Sequence, residues 1–208
     1  MERIIETRED VAEGEAWLAA NHPEMAQALE AIGEAPLRRR DDGFAALLQA
    51  IVGQQVSVAA AAGIWARVEE AGFHIEANVL TANEDALRAV GLSRPKARYA
   101  KAIAEAGLDY PALRMMPSED AISQLVEIKG IGRWTAEIYL MFAVGKADVF
   151  APGDLALREA ARALYGMEER PSIPALAELA EQWSPWRGVA ARILFAYYRV
   201  DKGREGVT

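Results

Sequence analysis

The chain has 208 residues, 52% of them apolar, with 23 Lys plus Arg against 31 Asp plus Glu for a net charge of −8, and no cysteine. That length and apolar content exclude bulk disorder and suffice to bury a core, as one domain or two closely packed lobes. Without cysteine there are no disulfides, thiolate nucleophiles or Cys-ligated zinc or iron–sulfur clusters, and two histidines, His22 and His74, make no His-rich metal site. The first ten residues, MERIIETRED, are charged where a signal peptide needs an apolar run, and no apolar stretch is long enough for a bilayer. A soluble cytoplasmic protein with no membrane partner is therefore expected. Residues 1–40 carry Arg3, Arg8, Arg38, Arg39 and Arg40 against nine acids, which is half of the net charge. Residues 5–32 read as helices, so 1–40 is expected to be a helical extension packing on a compact body of residues 1–208.

The rest of the chain also follows a helical period, and 42 alanines favour helix throughout. Phe44, Leu47, Leu48 and Ile51 form one apolar stripe. Ser57 caps a predicted helix ending near Gly72, whose Ala-rich face suits close packing. Asn83 precedes another helix, stopped by Gly91. Pro95 opens the next, ended by Gly107. Residues 86–101 hold Arg88, Arg94, Lys96, Arg98 and Lys101 with no acid, a local +5 patch in an acidic chain. Ser118 begins a further helix, Arg133–Val144 and Asp154–Tyr165 are strong candidates, and 174–183 and 185–200 complete the series. VFAP at 149–152 is too short to imply a sheet. The reading is all-α and two-lobed, with a central helical lobe over 43–147 and C-terminal helices 148–208 completing the second lobe. Trp65, Phe44 and Phe142 read as core, and Trp183 and Trp186 as packing between lobes. His22 is expected at the surface and His74 at the start of a turn or helix.

The turn IKGIG at 128–132 lies between two apolar-periodic helices. Gly130 and Gly132 permit a tight turn with close backbone approach. Their amides, beside the start of the next helix, can hold one backbone phosphate, with Lys129 and Arg133 reinforcing it. The same turn also serves as a plain helical hairpin. The pattern is not the dinucleotide-binding glycine motif, since no strand precedes it. Asp154, after Pro152 and Gly153, reads on its own as a helix cap.

EIKGIGRWTAEIYLMF…DVFAPGDLALREA, with IVGQQVSVAAA at 51–61, GLSRPKARY at 91–99 and WSPWRGVAARIL at 183–194, resembles the helix–hairpin–helix DNA glycosylase superfamily. The branch it resembles is DNA-3-methyladenine glycosylase II, over most of residues 43–200. The resemblance implies hydrolysis of the N-glycosidic bond of alkylated purines, especially 3-methyladenine, in damaged double-stranded DNA. Asp154 becomes the catalytic carboxylate, stabilising oxocarbenium character or activating water. Trp134 stands where strand-cleaving relatives carry a Schiff-base lysine, which implies an enzyme without a dedicated lyase step. Its indole either stacks on an everted base or packs below the pocket. Gly153 stands where some relatives have a second aspartate.

The resemblance also makes Tyr139 and Phe195 candidate base-binding residues. Tyr139 lies one place beyond an aromatic of some relatives, where Ile138 stands here, and Phe195 replaces a tryptophan of others. Gln54, Gln55 and Ser57 match the loop that enters the minor groove, with Gln54 or Gln55 as the wedge. Arg187 contacts a phosphate or an internal acid. No cofactor is expected for the chemistry, but the carbonyls of Val126, Ile128 and Gly130 match a structural Na⁺ or K⁺ site at the hairpin. A monomer with no obligate protein partner, nucleoid-associated in a prokaryote, is the expectation. The alternative is a nonenzymatic helical DNA-binding or damage-recognition protein, which has no need of Asp154.

Overall fold

The computed structural model of the protein describes residues 2–203, so Met1 and the end of the expected 148–208 segment, residues 204–208, lie outside the described residues. Among the described residues the backbone forms thirteen α-helices, one π-helix and a single isolated β-bridge. The chain divides into two compact units, one of residues 40–139 and the other of 2–39 with 140 onward.

The first unit contains α3 (Phe44–Gly53), α4 (Val58–Glu70), α5 (Glu76–Thr81), α6 (Glu84–Ala89), α7 (Arg94–Glu105), α8 (Tyr110–Met115), α9 (Ser118–Val126) and α10 (Arg133–Tyr139). Its centre is α3, which packs on α4, α7 and α10 and buries Phe44, Leu47, Leu48 and Ile51, the stripe read from the sequence. Ser57, Asn83 and Ser93 cap α4, α6 and α7, each accepting a backbone N–H three residues on. Two expectations fail here. The Ala-rich start of α4 is not a packing face, because Ala59, Ala60 and Ala62 are exposed, and Trp65 is half-buried rather than core. Helices α5 and α8, six residues each, are too short to leave a period in the sequence.

The second unit contains α1 (Arg8–Asn21), α2 (Pro23–Ile32), the π-helix Leu140–Val144, α11 (Leu155–Leu164), α12 (Ile173–Glu181) and α13 (Arg187–Lys202). Helix α13 packs on α1, α2 and α11. Gly14 lets α1 approach it, since a Cβ there would sit 2.6 Å from Val189 Cγ2. The first residues pair with the chain leaving the π-helix: Ile5 N donates to Gly145 O at 2.7 Å and Ala147 N to Arg3 O at 2.9 Å. That bridge explains why 2–39 groups with the C-terminal helices and why the boundary falls after Tyr139 rather than at 147. Trp183 and Trp186 are buried, with Phe150, Tyr165 and Arg3 of the same unit around them. His22 is half-buried against Trp17.

Candidate functional site

The hairpin of the first unit joins α9 to α10. Gly130 has φ +100, and a Cβ built on it would lie 2.2 Å from Tyr99 Cγ, so a side chain is excluded by conformation and by space. Gly132 faces open space, with nothing within 4 Å of an added Cβ. Between them Ile131 is buried and its N–H donates to Ile128 O at 3.0 Å, closing the turn. Lys129 is exposed beside this open face. Arg133 is not a free cation: Nη2 donates to both oxygens of Glu119 at 2.8 and 3.1 Å, and Nε to Glu137 Oε1 at 2.9 Å. Burial pushes the Glu137 carboxyl up to about 7 against the opposing pull of Arg133. Trp134 is 38% exposed at the start of α10.

The two adjacent glutamines play different parts. Gln54 turns inward, its Nε2 donating to Gly130 O at 3.3 Å and to Thr135 Oγ1 at 3.1 Å. Gln55 is exposed and adopts a left-handed backbone with φ 55. Ser57, also exposed, accepts from Ala60 N at 3.2 Å as the cap of α4.

The basic stretch 86–101 is largely consumed within the unit. Arg94 and Arg98 pair with Glu84, and Arg88 lies 3.7 Å from Asp85. Lys96 donates to Val52 O and Gln54 O, both at 2.8 Å. Lys101 donates to Val79 O and Leu80 O, in the last turn of α5. Both lysines satisfy carbonyls at helix ends that lack intrahelical donors. Tyr139 is a buried side chain whose hydroxyl donates to Asp42 Oδ1, and burial together with Asp42 raises its pKa.

In the second unit Asp154 is half-buried and caps α11, with Oδ1 accepting from Ala156 N at 2.8 Å and Leu157 N at 3.2 Å. Both bonds fall on one oxygen, so the cap orients the carboxylate relative to the helix axis. Gly153 before it faces open space. Phe195 is half-buried, 6.0 Å from the Phe142 ring, with the Arg38 guanidinium 5.2 Å over its face. Arg187 takes the internal option: Nε and Nη2 grip Asp148 at 3.0 and 3.1 Å, and Nη1 reaches Glu181 at 2.7 Å.

Sequence reasoning missed Arg192, which has no exposed surface and donates to Leu37 O, Gly188 O and Met141 O. Its signal was an arginine within the apolar run Val189–Phe195. It also missed the link between Tyr99 and Gly130, for which no local signal exists, because the two are 31 positions apart in the sequence (130 − 99).

Residues 48–185 match the model of the HhH-GPD superfamily of base excision DNA repair proteins. A putative DNA-3-methyladenine glycosylase of Bacillus subtilis is 30% identical over 52% of this chain and 39% of its own length. DNA-3-methyladenine glycosylase 2 of Escherichia coli is 31% identical over 72% of this chain and 55% of its own. The match thus spans about two fifths of the first of these curated relatives and little more than half of the second. Among solved structures, the Schizosaccharomyces pombe 3-methyladenine DNA glycosylase Mag1 in complex with abasic DNA superposes with TM-score 0.80 at 26% identity, covering 91% of this chain and 97% of that one. With two thirds of its length inside the family match and its helical hairpin in place, the chain belongs to the HhH-GPD superfamily of base excision DNA repair proteins.

Proposed function

We propose that the protein is a monofunctional DNA glycosylase that releases alkylated purines, principally 3-methyladenine, from duplex DNA. The similarity to DNA-3-methyladenine glycosylases over most of the chain supports the substrate class. The observation that carries the chemistry is Asp154, a carboxylate oriented by two backbone N–H groups at the head of α11. In the reaction the C1′–N bond breaks and its electrons leave with the base, neutralising a cationic lesion. The sugar gains oxocarbenium character, which a fixed carboxylate stabilises. Water adds to C1′ and loses a proton, for which Asp154 is the base, giving an abasic site. Trp134, in place of a Schiff-base lysine, leaves the strand intact and offers an exposed indole to an everted base.

Open space at Gly132 and the exposed Lys129 suit the hairpin to one DNA phosphate. A Na⁺ or K⁺ held by the carbonyls of Val126, Ile128 and Gly130 would support that contact. The Ile128 and Gly130 carbonyls each accept one hydrogen bond, from Ile131 N and Gln54 Nε2, and retain a second lone pair for a cation. On this reading the protein acts as a cytoplasmic monomer on a single duplex.

The test is release of free 3-methyladenine from methylated duplex DNA by wild type and Asp154→Asn. Asparagine keeps the capping oxygen, so the fold is retained while the charge is lost. Single-turnover excision is expected to fall by about 10²–10³-fold. A folded wild type that releases no alkylated base would leave the nonenzymatic damage-binding alternative in place. Strand scission without added base or amine would remove the monofunctional assignment.

A further inference from the structure

Helix α7 holds two turns at once. Lys96 Nζ donates to Val52 O and Gln54 O, both at 2.8 Å, fastening the exit of α3. One turn further along, Tyr99 lies against Gly130 so closely that a Cβ there would be 2.2 Å from the Tyr99 ring. Gln54 completes the connection, bonded through its own carbonyl to Lys96 and through its amide to Gly130 O and Thr135 Oγ1. Next in the chain is Gln55, an exposed residue with φ 55, a left-handed conformation that costs a side-chain-bearing residue on the order of 1 kcal/mol and persists only where its surroundings hold it.

We propose that Lys96 and Tyr99 are positioning residues that register the Gln54–Ser57 loop against the hairpin turn, so that Gln55 is presented at a set distance from the hairpin-bound phosphate. This rests on the proposed function, in which the hairpin grips the strand and Gln55 fills the space left by the everted nucleotide. Lys96 makes no contact with the reacting atoms. Its two hydrogen bonds hold the carbonyls of Val52 and Gln54 at the exit of α3, and burial lowers its pKa. The basic stretch then has a second meaning: Lys96 acts on DNA through the loop it orders rather than by touching a phosphate.

The experiment compares single-turnover release of one alkylated purine from a fully paired duplex and from the same sequence with the lesion in an unpaired bubble, where no stacked partner has to be replaced. The variants are Lys96→Met, Gln55→Ala and the double mutant. Lys96→Met is expected to slow excision from the paired duplex by about tenfold, the equivalent of one charge-assisted hydrogen bond. From the bubble it should slow excision by about twofold or less. In the Gln55→Ala background the Lys96 effect should disappear, since the two act through one element. Equal slowing on both substrates, or full additivity with Gln55→Ala, overturns the proposal. Should Lys96→Met not fold, Gln54→Leu removes the loop's amide bonds to Gly130 O and Thr135 Oγ1 instead and is read against the same ratio. A wild type inactive on both substrates would instead count against glycosylase function itself.

Discussion

Glu137 sits one helical turn after Arg133 and is 4% exposed, so two forces act on it in opposite directions. Desolvation favours the neutral acid, while the Arg133 charge favours the carboxylate. Burial wins, and Glu119 nearby adds to it, giving a value of about 7. The folded-state pKa therefore lies above the unfolded one, so the contribution is fully present below about pH 4.5 and is lost as pH rises through 7. Between pH 5 and 8 the wild type should lose up to about 3 kcal/mol at this residue. Glu137→Gln should flatten that slope, as measured by urea unfolding at the two pH values, and parallel slopes would rule the assignment out. Residue identity alone did not reveal this group, because a glutamate in an amphipathic helix reads as solvated until its neighbours are known. The adjacent glutamines make the same point. Gln54 and Gln55 are chemically identical, and only the path of the chain turns one inward to Gly130 and leaves the other exposed.

Among the elements, the helix that follows the hairpin is the most instructive. The sequence predicts one helix over Arg133–Val144, but it widens into a π-helix at Leu140–Val144, with Gly145 N reaching back to Leu140 O at 2.9 Å. Carbonyls of this segment then accept from guanidinium groups, Met141 O from Arg192 and Ala143 O from Arg39. Arg192 on α13 thus joins the π-helix, Gly188 of its own helix and Leu37, and stacks 5.0 Å from Phe142. Burial and the nearby Arg38 and Arg39 push its guanidinium down to about 9, so it stays charged at neutral pH. Arg192→Met would keep most of the volume but leave three carbonyls without their donor. A loss of about 3–5 kcal/mol is expected in equilibrium unfolding. A loss under about 1 kcal/mol would mean that water replaces the guanidinium. Caps were the most legible features of the elements, since Ser57, Asn83 and Asp154 all cap as a local rule requires. The short helices α5 and α8, and the exposed alanines of α4, were not legible, because burial depends on distant chain.

For the whole molecule, the charge of −8 is a poor guide to the proposed DNA partner, and so is the +5 stretch at 86–101. All five bases of that stretch are engaged with Glu84, Asp85 or helix-end carbonyls, and Arg133 and Arg187 are held by acids of their own units. With these bases engaged, duplex binding should weaken only gently with salt, with a log–log slope of about −3 or shallower. Fluorescence anisotropy across a salt titration measures it. A slope twice as steep would mean that these ion pairs open on DNA. Helix content, the cap residues, the hairpin glycines and the family itself were determined by the sequence alone, because each is written in local spacing or in ordered motifs. The tertiary structure alone decided which of two glutamines is exposed, which bases are spent on carbonyls and acids, and where the two units divide. Those outcomes depend on contacts between residues far apart in the chain, such as Lys96 with Val52 and Tyr99 with Gly130, that no local pattern encodes.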